Sequence, residues 1–172
     1  MTSGPRLHLC PLDRRHLTAT RTWANDPQLC RLLDRAKTVS EAEHEAWYAS
    51  LAQRKDVEMF AIETVADGTH IGNIWLWSID TRHKKAEVRV VIGENIHQGR
   101  GLGIEAIELI SAYARDSLNL HKLFAYVLSI NPRALRAFEK AGFIVEGNLK
   151  QDRWSADGYV DVTLLGKILD QP

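Results

Sequence analysis

An excess of charge is missing: Lys+Arg and Asp+Glu stand at 22 each. No net field therefore draws the chain to nucleic acid or to an anionic membrane surface, and any charge recognition has to be local. Cysteine is scarce too. Cys10 and Cys30 are the only two, and they lack the paired close spacing of a metal site, so no metal is expected. No apolar run approaches the roughly 20 residues that span a bilayer, and the opening MTSGPRLHLCPL holds no stretch long enough for a signal peptide. A cytoplasmic protein with reduced thiols is the expectation. Repeats, low-complexity tracts and long Pro/Gly/Ser linkers are also lacking, and 172 residues at 45% hydrophobic and 26% charged suit one domain over residues 1–172.

What is present is periodicity and its punctuation. RLHLCPL reads as a first strand, followed by helical material through Trp23, a break at Asn25-Asp26-Pro27 and a second apolar stretch around Leu29 to Leu33. Ser40 with Glu43 three residues on is a capping box, which starts a helix at SEAEHEAWYASL. EMFAIET and HIGNIWLWSI flank Asp67-Gly68 as an antiparallel hairpin. In the next strand, AEVRVVI, alternation puts Ala86, Val88, Val90 and Ile92 on one face and Glu87, Arg89 and Val91 on the other. Helical spacing resumes from Leu102 to Leu118, then comes the strand KLFAYVLSI. NPRALRAFEKAGF is a helix with Asn131 as N-cap, Pro132 in its first turn and Gly142 as its left-handed stop. Two strands, FIVEGNL and YVDVTLLGKIL, close the chain around a turn at Asp157-Gly158.

Between the strand ending at Ile92 and the helix starting at Leu102 stand Gly99, Gly101 and Gly103. Free amides and the helix dipole make such a junction an anion site, with phosphate as its natural ligand; a glycine-rich turn with no ligand is the alternative. A Walker A loop is excluded because no Gly-Lys-Ser/Thr closes the run, and the spacing of two between glycines departs from the dinucleotide fingerprint G-x-G-x-x-G.

QGRGLG, Gln98 to Gly103, resembles the Q/R-x-x-G-x-G/A signature of the GCN5-related N-acetyltransferase (GNAT) superfamily. The order of strand, glycine loop, helix and strand, then NPRALRAFEKAGF, is similar to that family as well. EGNLKQDRWSADGYVDVTLLGKIL resembles the tail of its RimJ/RimL branch. The resemblance spans about residues 5 to 170. It implies an α/β (α+β) fold whose mixed, mainly antiparallel sheet splays open between the fourth and fifth strands read here, Ala86 to Ile92 and Lys122 to Leu128. It also implies an enzyme, an acyltransferase using acetyl-coenzyme A as co-substrate. By position, Gln98, Gly99, Arg100, Gly101, Leu102 and Gly103 would bind pyrophosphate. Val90, Val91 and Ile92 would pair with the pantetheine arm, and Asn131 would touch it. Arg133, Arg136 and Lys140 share a helix face at i, i+3 and i+7 and could meet the outer phosphate; a solvated face explains them equally. Arg100, inside the loop, is expected to help a phosphate more than these. A dimer is common among family members.

Acetyl transfer to a protonated primary amine wants a base, and Glu87, on the polar face of its strand, is the candidate, with Glu94 and His83 behind it. An exposed carboxylate paired to a basic neighbour is the competing reading of Glu87. For the acid that protonates the departing thiolate, Phe138 stands where many relatives carry tyrosine, and Ala134 where protein-terminus acetylating members often carry serine. Ser129 or Tyr126 could substitute, and the acid stays unassigned. Trp75 and Trp77 alternate on one strand face, with Trp23 and Trp47 in the helical region that roofs the acceptor in the family; rings stack sugars or bases, or simply fill a core. The N-terminal half resembles amino-sugar acetyltransferases acting on nucleotide-linked sugars, so a small-molecule amine is the expected partner. Spermidine acetyltransferases, also similar, would want carboxylates, and only Glu41, Glu43 and Glu45 cluster. A protein N-terminal amine, or a coenzyme-binding regulator without turnover, complete the alternatives.

Overall fold

The computed structural model describes residues 2–34, 38–155 and 158–169. The chain runs β1 (Thr2–Ser3), β2 (Leu7–Pro11), α1 (Leu17–Ala24), α2 (Pro27–Leu32), α3 (Glu41–Leu51), β3 (Val57–Thr64), β4 (His70–Asp80), β5 (Lys85–Ile92), α4 (Leu102–Asp116), β6 (Lys122–Leu128), α5 (Pro132–Lys140), β7 (Ile144–Ser155) and β8 (Gly158–Ile168). The strands form one eight-stranded sheet in the order β1-β2-β3-β4-β5-β6-β8-β7. Every neighbour pair is antiparallel except β5 with β6, which is parallel. The expected α/β, mainly antiparallel arrangement is therefore observed. The two-residue β1 shifts the numbering, so the strands read as fourth and fifth are β5 and β6.

Local chemistry sets the helix ends. Ser40 accepts from the Glu43 amide at 3.2 Å while the Glu43 carboxylate accepts from the Ser40 amide at 2.9 Å, closing the capping box of α3. Asn131 accepts from the Ala134 amide at 3.1 Å, and Gly142 stops α5 at φ +88°. β7 outruns the FIVEGNL strand, continuing to Ser155, because β8 pairs with it as far as Ser155↔Gly158. Of the Asp157-Gly158 turn, Asp157 lies outside the described residues.

The sheet separates two apolar layers. Ile74, Leu76, Val88 and Leu123 pack against Ala106, Ile107 and Ile110 of α4, while Trp75 and Val91 pack against Trp23 and Leu29 of α1 and α2. β5 and β6 pair only at Lys85↔Lys122, Ala86↔Leu123 and Glu87↔Phe124, whereas β5 stays on β4 as far as Ile92. The sheet splits after Glu87, leaving the far half of β5 with no strand on that edge among the described residues.

An ion pair that no local pattern announced fixes α4 beside this split. The buried Glu105 carboxylate accepts from the Arg6 and Leu7 amides at 2.9 and 3.0 Å and from Arg6 Nε at 2.7 Å. Burial pushes the Glu105 carboxyl up, but the hydrogen bonds from Arg6 and Leu7 outweigh it and hold the group below the usual carboxylate range. Glu105→Ala strands the amide of fully buried Leu7 and is expected to cost about 1–3 kcal/mol in denaturant unfolding at neutral pH. Because the folded-state pKa is depressed, this contribution is present above the ordinary carboxylate range and is lost as pH falls through the folded value. The gap between the two proteins should thus narrow in acid; a gap constant from neutral pH into acid would show that the carboxylate's charge contributes nothing.

Candidate active site

The glycine loop enters α4 through left-handed backbone, with φ +75° at Gly99 and +78° at Gly101, the N-cap. The Glu105 amide bonds to the Gly101 carbonyl at 3.2 Å, so the amides of Leu102, Gly103 and Ile104 have no partner within the helix. Gly103 has an ordinary φ, and a Cβ built there would meet only Ile92 Cγ1 at 3.9 Å. The protein does not itself need the bareness of Gly103. Free amides, a helix dipole of fifteen residues and open space suit a phosphate.

The loop borders a cleft of about 410 Å³ lying in the split of the sheet. Val90, Val91 and Ile92 form one wall, Gln98, Gly99, Gly101 and Gly103 another, and Asn131, Ala134 and Phe138 the third. Arg133, Arg136 and Lys140 all line it, bringing three cations to a surface that already presents helix amides. Gln98 acts as a tether: its Nε2 donates to the Ile92 carbonyl at 2.9 Å and its Oε1 accepts from Arg133 Nη1 at 2.6 Å. The side chains of two expected contributors, Arg100 and Leu102, do not line the cleft. Arg100 is exposed, away from the cleft lining, with its carbonyl held by Arg6 at 2.9 Å, and Leu102 is buried on the same α4 stripe as Ala106 and Ile110. What the two offer at the cleft is backbone, while the side-chain cations lining it come from α5. His97, Ile104, the α2 residues Leu29 and Leu32, and the α2 C-cap Leu33 also line the cleft. Helical periodicity marked α2 as apolar, and nothing in it says which cleft the stripe covers.

A second cleft, about 440 Å³, opens on the α1–α3 side of the sheet, walled by Trp23, Trp47, Trp75, Trp77 and Met59. It shares Leu33 and Val91 with the first, so the two join through the split. Glu87 faces this side, opposite Trp77 on β4 and Phe124 on β6, at the last paired rung. At 8% exposure it is no surface carboxylate; both its oxygens accept from Arg89, at 2.7 Å from Nε and 2.9 Å from Nη2. Arg89, two residues on and hence on the same face, is the partner.

The weaker candidates separate. Glu94 accepts from Trp23 Nε1 at 3.1 Å, bracing the cleft roof, and the His83 amide caps the turn at Asp80. Phe138 is buried edge-to-face on Phe143, with 5.0 Å between ring centroids. Tyr126 and Ser129 are exposed and line neither cleft. A buried group at Cys10, His16 and Glu63 has metal-ligating atoms within 4.8 Å of one another. Glu63 is already committed to His16 at 3.0 Å and Arg15 at 2.9 Å, and burial, then the charge of Glu63, pushes the Cys10 thiol up to about 11. That chemistry favours a protonated thiol in a closed network.

Residues 6–144 match the family described as acetyltransferase (GNAT) domain. The chain is 29% identical over 152 residues to the spermidine N(1)-acetyltransferase of Escherichia coli strain K12, covering 88% of this chain and 80% of that protein. It is 32% identical over 120 residues to the ribosomal-protein-serine acetyltransferase of the same strain, covering 70% and 65%. Among solved structures, the spermidine N-acetyltransferase of Vibrio cholerae in complex with CoA and spermine superposes with a TM-score of 0.91 at 26% identity, over 96% of this chain and 97% of that one. With an open anion site at a helix N-terminus, a sheet split beside it and a family match across most of its length, this chain belongs to the GNAT family and is an N-acetyltransferase whose co-substrate is acetyl-coenzyme A.

Proposed function

We propose that the chain acetylates the primary amine of a small molecule. The observation that carries this reading is the junction of two unlike clefts at Val91, one rich in amides and cations, the other in tryptophan. Amides of Leu102 to Ile104, with the bare backbone of Gly99 to Gly103, hold the pyrophosphate. Arg133, Arg136 and Lys140 meet the outer phosphate. The free edge of Val90 to Ile92 takes the amide-bearing arm, and Asn131, its Oδ1 engaged as N-cap, offers its NH₂. The co-substrate supplies an activated acetyl thioester; the chain's own task is to orient the amine and remove its proton. Glu87 is the base. Strand rise sets it about 10 Å along β5 from Val90, so it works through water.

For the acceptor, the names of the relatives favour polyamines over the nucleotide-linked sugars suggested by the N-terminal half. The relatives also include a spermidine N-acetyltransferase described as dodecameric, which supports self-association here. Both free cysteines suit a reducing, cytoplasmic setting. The test is thiol release from acetyl-coenzyme A across polyamines, amino sugars, arylalkylamines and peptide N-termini. Release that depends on a small amine is expected. Release with peptides alone would move the acceptor to proteins, and coenzyme binding with no release would leave a regulator.

A further inference from the structure

Building on the proposed small-amine activity, we propose that the acceptor cleft selects a monoamine carried on a neutral ring body and discriminates against polyamines. A polyamine brings three or four ammonium groups, and each one taken out of water needs an anionic or polar partner. No Asp or Glu is among the described residues lining the cleft. The carboxylates around it are committed elsewhere. Glu87 is held by Arg89 through both oxygens, and Asp56 by Arg54 at 3.0 and 2.7 Å. Of the acids on α3, Glu41 lies 3.9 Å from Arg21, Glu43 is bound into the capping box with Ser40, and Glu45 accepts from Arg14 at 3.1 Å.

Tryptophan faces can also attract ammonium, but at Trp77 that capacity is taken, and Trp23 and Trp47 already lie against the His70 and His44 rings, at 4.7 and 4.9 Å between centroids. The Arg54 and Arg89 guanidiniums stack on Trp77, 4.0 and 4.7 Å from the ring centroid. The cleft therefore offers one guanidinium, Arg89, already neutralised by Glu87, where a polycation would need unpaired anions. Its other walls, Trp23, Trp47, Trp75, Met59 and Leu51, present apolar faces. A ring that stacks on those faces leaves a single ammonium to reach the junction at Val91, which with Leu33 lines both clefts. An arylalkylamine and an amino sugar both meet this description, through an aromatic face or the C–H face of a pyranose.

The experiment compares kcat/KM for 2-phenylethylamine, tryptamine, glucosamine, spermidine and spermine at fixed acetyl-coenzyme A. At least one ring monoamine should exceed both polyamines by roughly 10-fold or more, with the arylalkylamine and sugar arms telling which ring the cleft takes. Spermidine or spermine equal to or better than every ring amine would overturn the inference while leaving the acetyltransferase activity standing. If thiol is released with none of them, the proposed function fails. Calorimetry of 2-phenylethylamine and spermidine on the coenzyme-loaded protein then decides the cleft by binding alone, tighter spermidine overturning it. Two variants at half-exposed Trp47 sharpen the result. Trp47→Ala should raise KM for the ring amine roughly 10-fold with acetyl-coenzyme A affinity unchanged. Trp47→Glu, adding an unpaired carboxylate, should shift preference toward spermidine. A ring-amine KM unmoved by either variant would overturn the stacking role.

Discussion

Gly103→Val is expected to weaken acetyl-coenzyme A binding by about 10- to 100-fold while leaving the protein as stable as before or slightly more so. The two effects have separate causes. Gly103 is the second residue of α4, with ordinary helical backbone, and a residue other than glycine there reduces the entropy lost on folding by roughly 0.5 kcal/mol. A Cβ would touch only Ile92 Cγ1, at 3.9 Å, so the first added carbon meets no close contact from the rest of the protein. The added branches occupy the space beside the Leu102, Gly103 and Ile104 amides, where an anion would accept charge-assisted bonds each contributing about 1.5–3 kcal/mol. Gly101→Val is a poorer version of the test. At φ +78° a β-branched residue is strained, so a lost affinity could come from a distorted loop. Calorimetry with acetyl-coenzyme A and a thermal melt of Gly103→Val measure both quantities, and unchanged affinity in the folded variant would place the pyrophosphate away from this loop.

That contrast between two neighbouring glycines indicates how far the sequence reaches. Spacing marked all three glycines as a bare junction between strand and helix, because a break from period two to period 3.6 around glycines is visible in one dimension. Which of them serves the backbone and which leaves room for a ligand depends on φ, which the residue type does not encode. The alternation in AEVRVVI likewise put Glu87 and Arg89 on one face, as observed, but the burial of Glu87 and its bidentate pairing depend on Trp77 and Phe124 arriving from β4 and β6. The Arg6–Glu105 tie joins residues 99 apart in sequence, and no periodicity connects them. Arg6 also holds the Arg100 carbonyl, a contact equally invisible to periodicity. Local capping at Ser40, Asn131 and Gly142 was legible because each motif closes within about four residues.

The largest effect is expected at Glu87. An alkyl ammonium with a pKa near that of lysine is free amine at only roughly one part in a few thousand at pH 7. Removing the group that takes its proton, by Glu87→Gln, should lower kcat by roughly 10²–10⁴-fold with acetyl-coenzyme A affinity unchanged, and the deficit should shrink as pH rises and solvent supplies free amine. The Arg89 pairing raises a second account, in which Glu87 merely holds a guanidinium against Trp77. Glutamine keeps one acceptor for Arg89 but turns an NH₂ toward it, so Arg89 would loosen in either case, and activity at one pH does not separate the accounts. Arg89→Met does, because it deletes the cation and leaves the carboxylate, with one side chain already 42% exposed to water. If Glu87 is the base, Arg89→Met retains most of the neutral-pH kcat, and only Glu87→Gln acquires the alkaline rescue. If Glu87 serves Arg89 alone, the two variants lose similar activity and neither profile steepens with pH. Pre-steady-state rates across pH for the three proteins, with the best amine of the panel, decide between them. Near-equal rates at neutral pH for Glu87→Gln and the parent would remove Glu87 from proton transfer and leave water in the split of the sheet as the route.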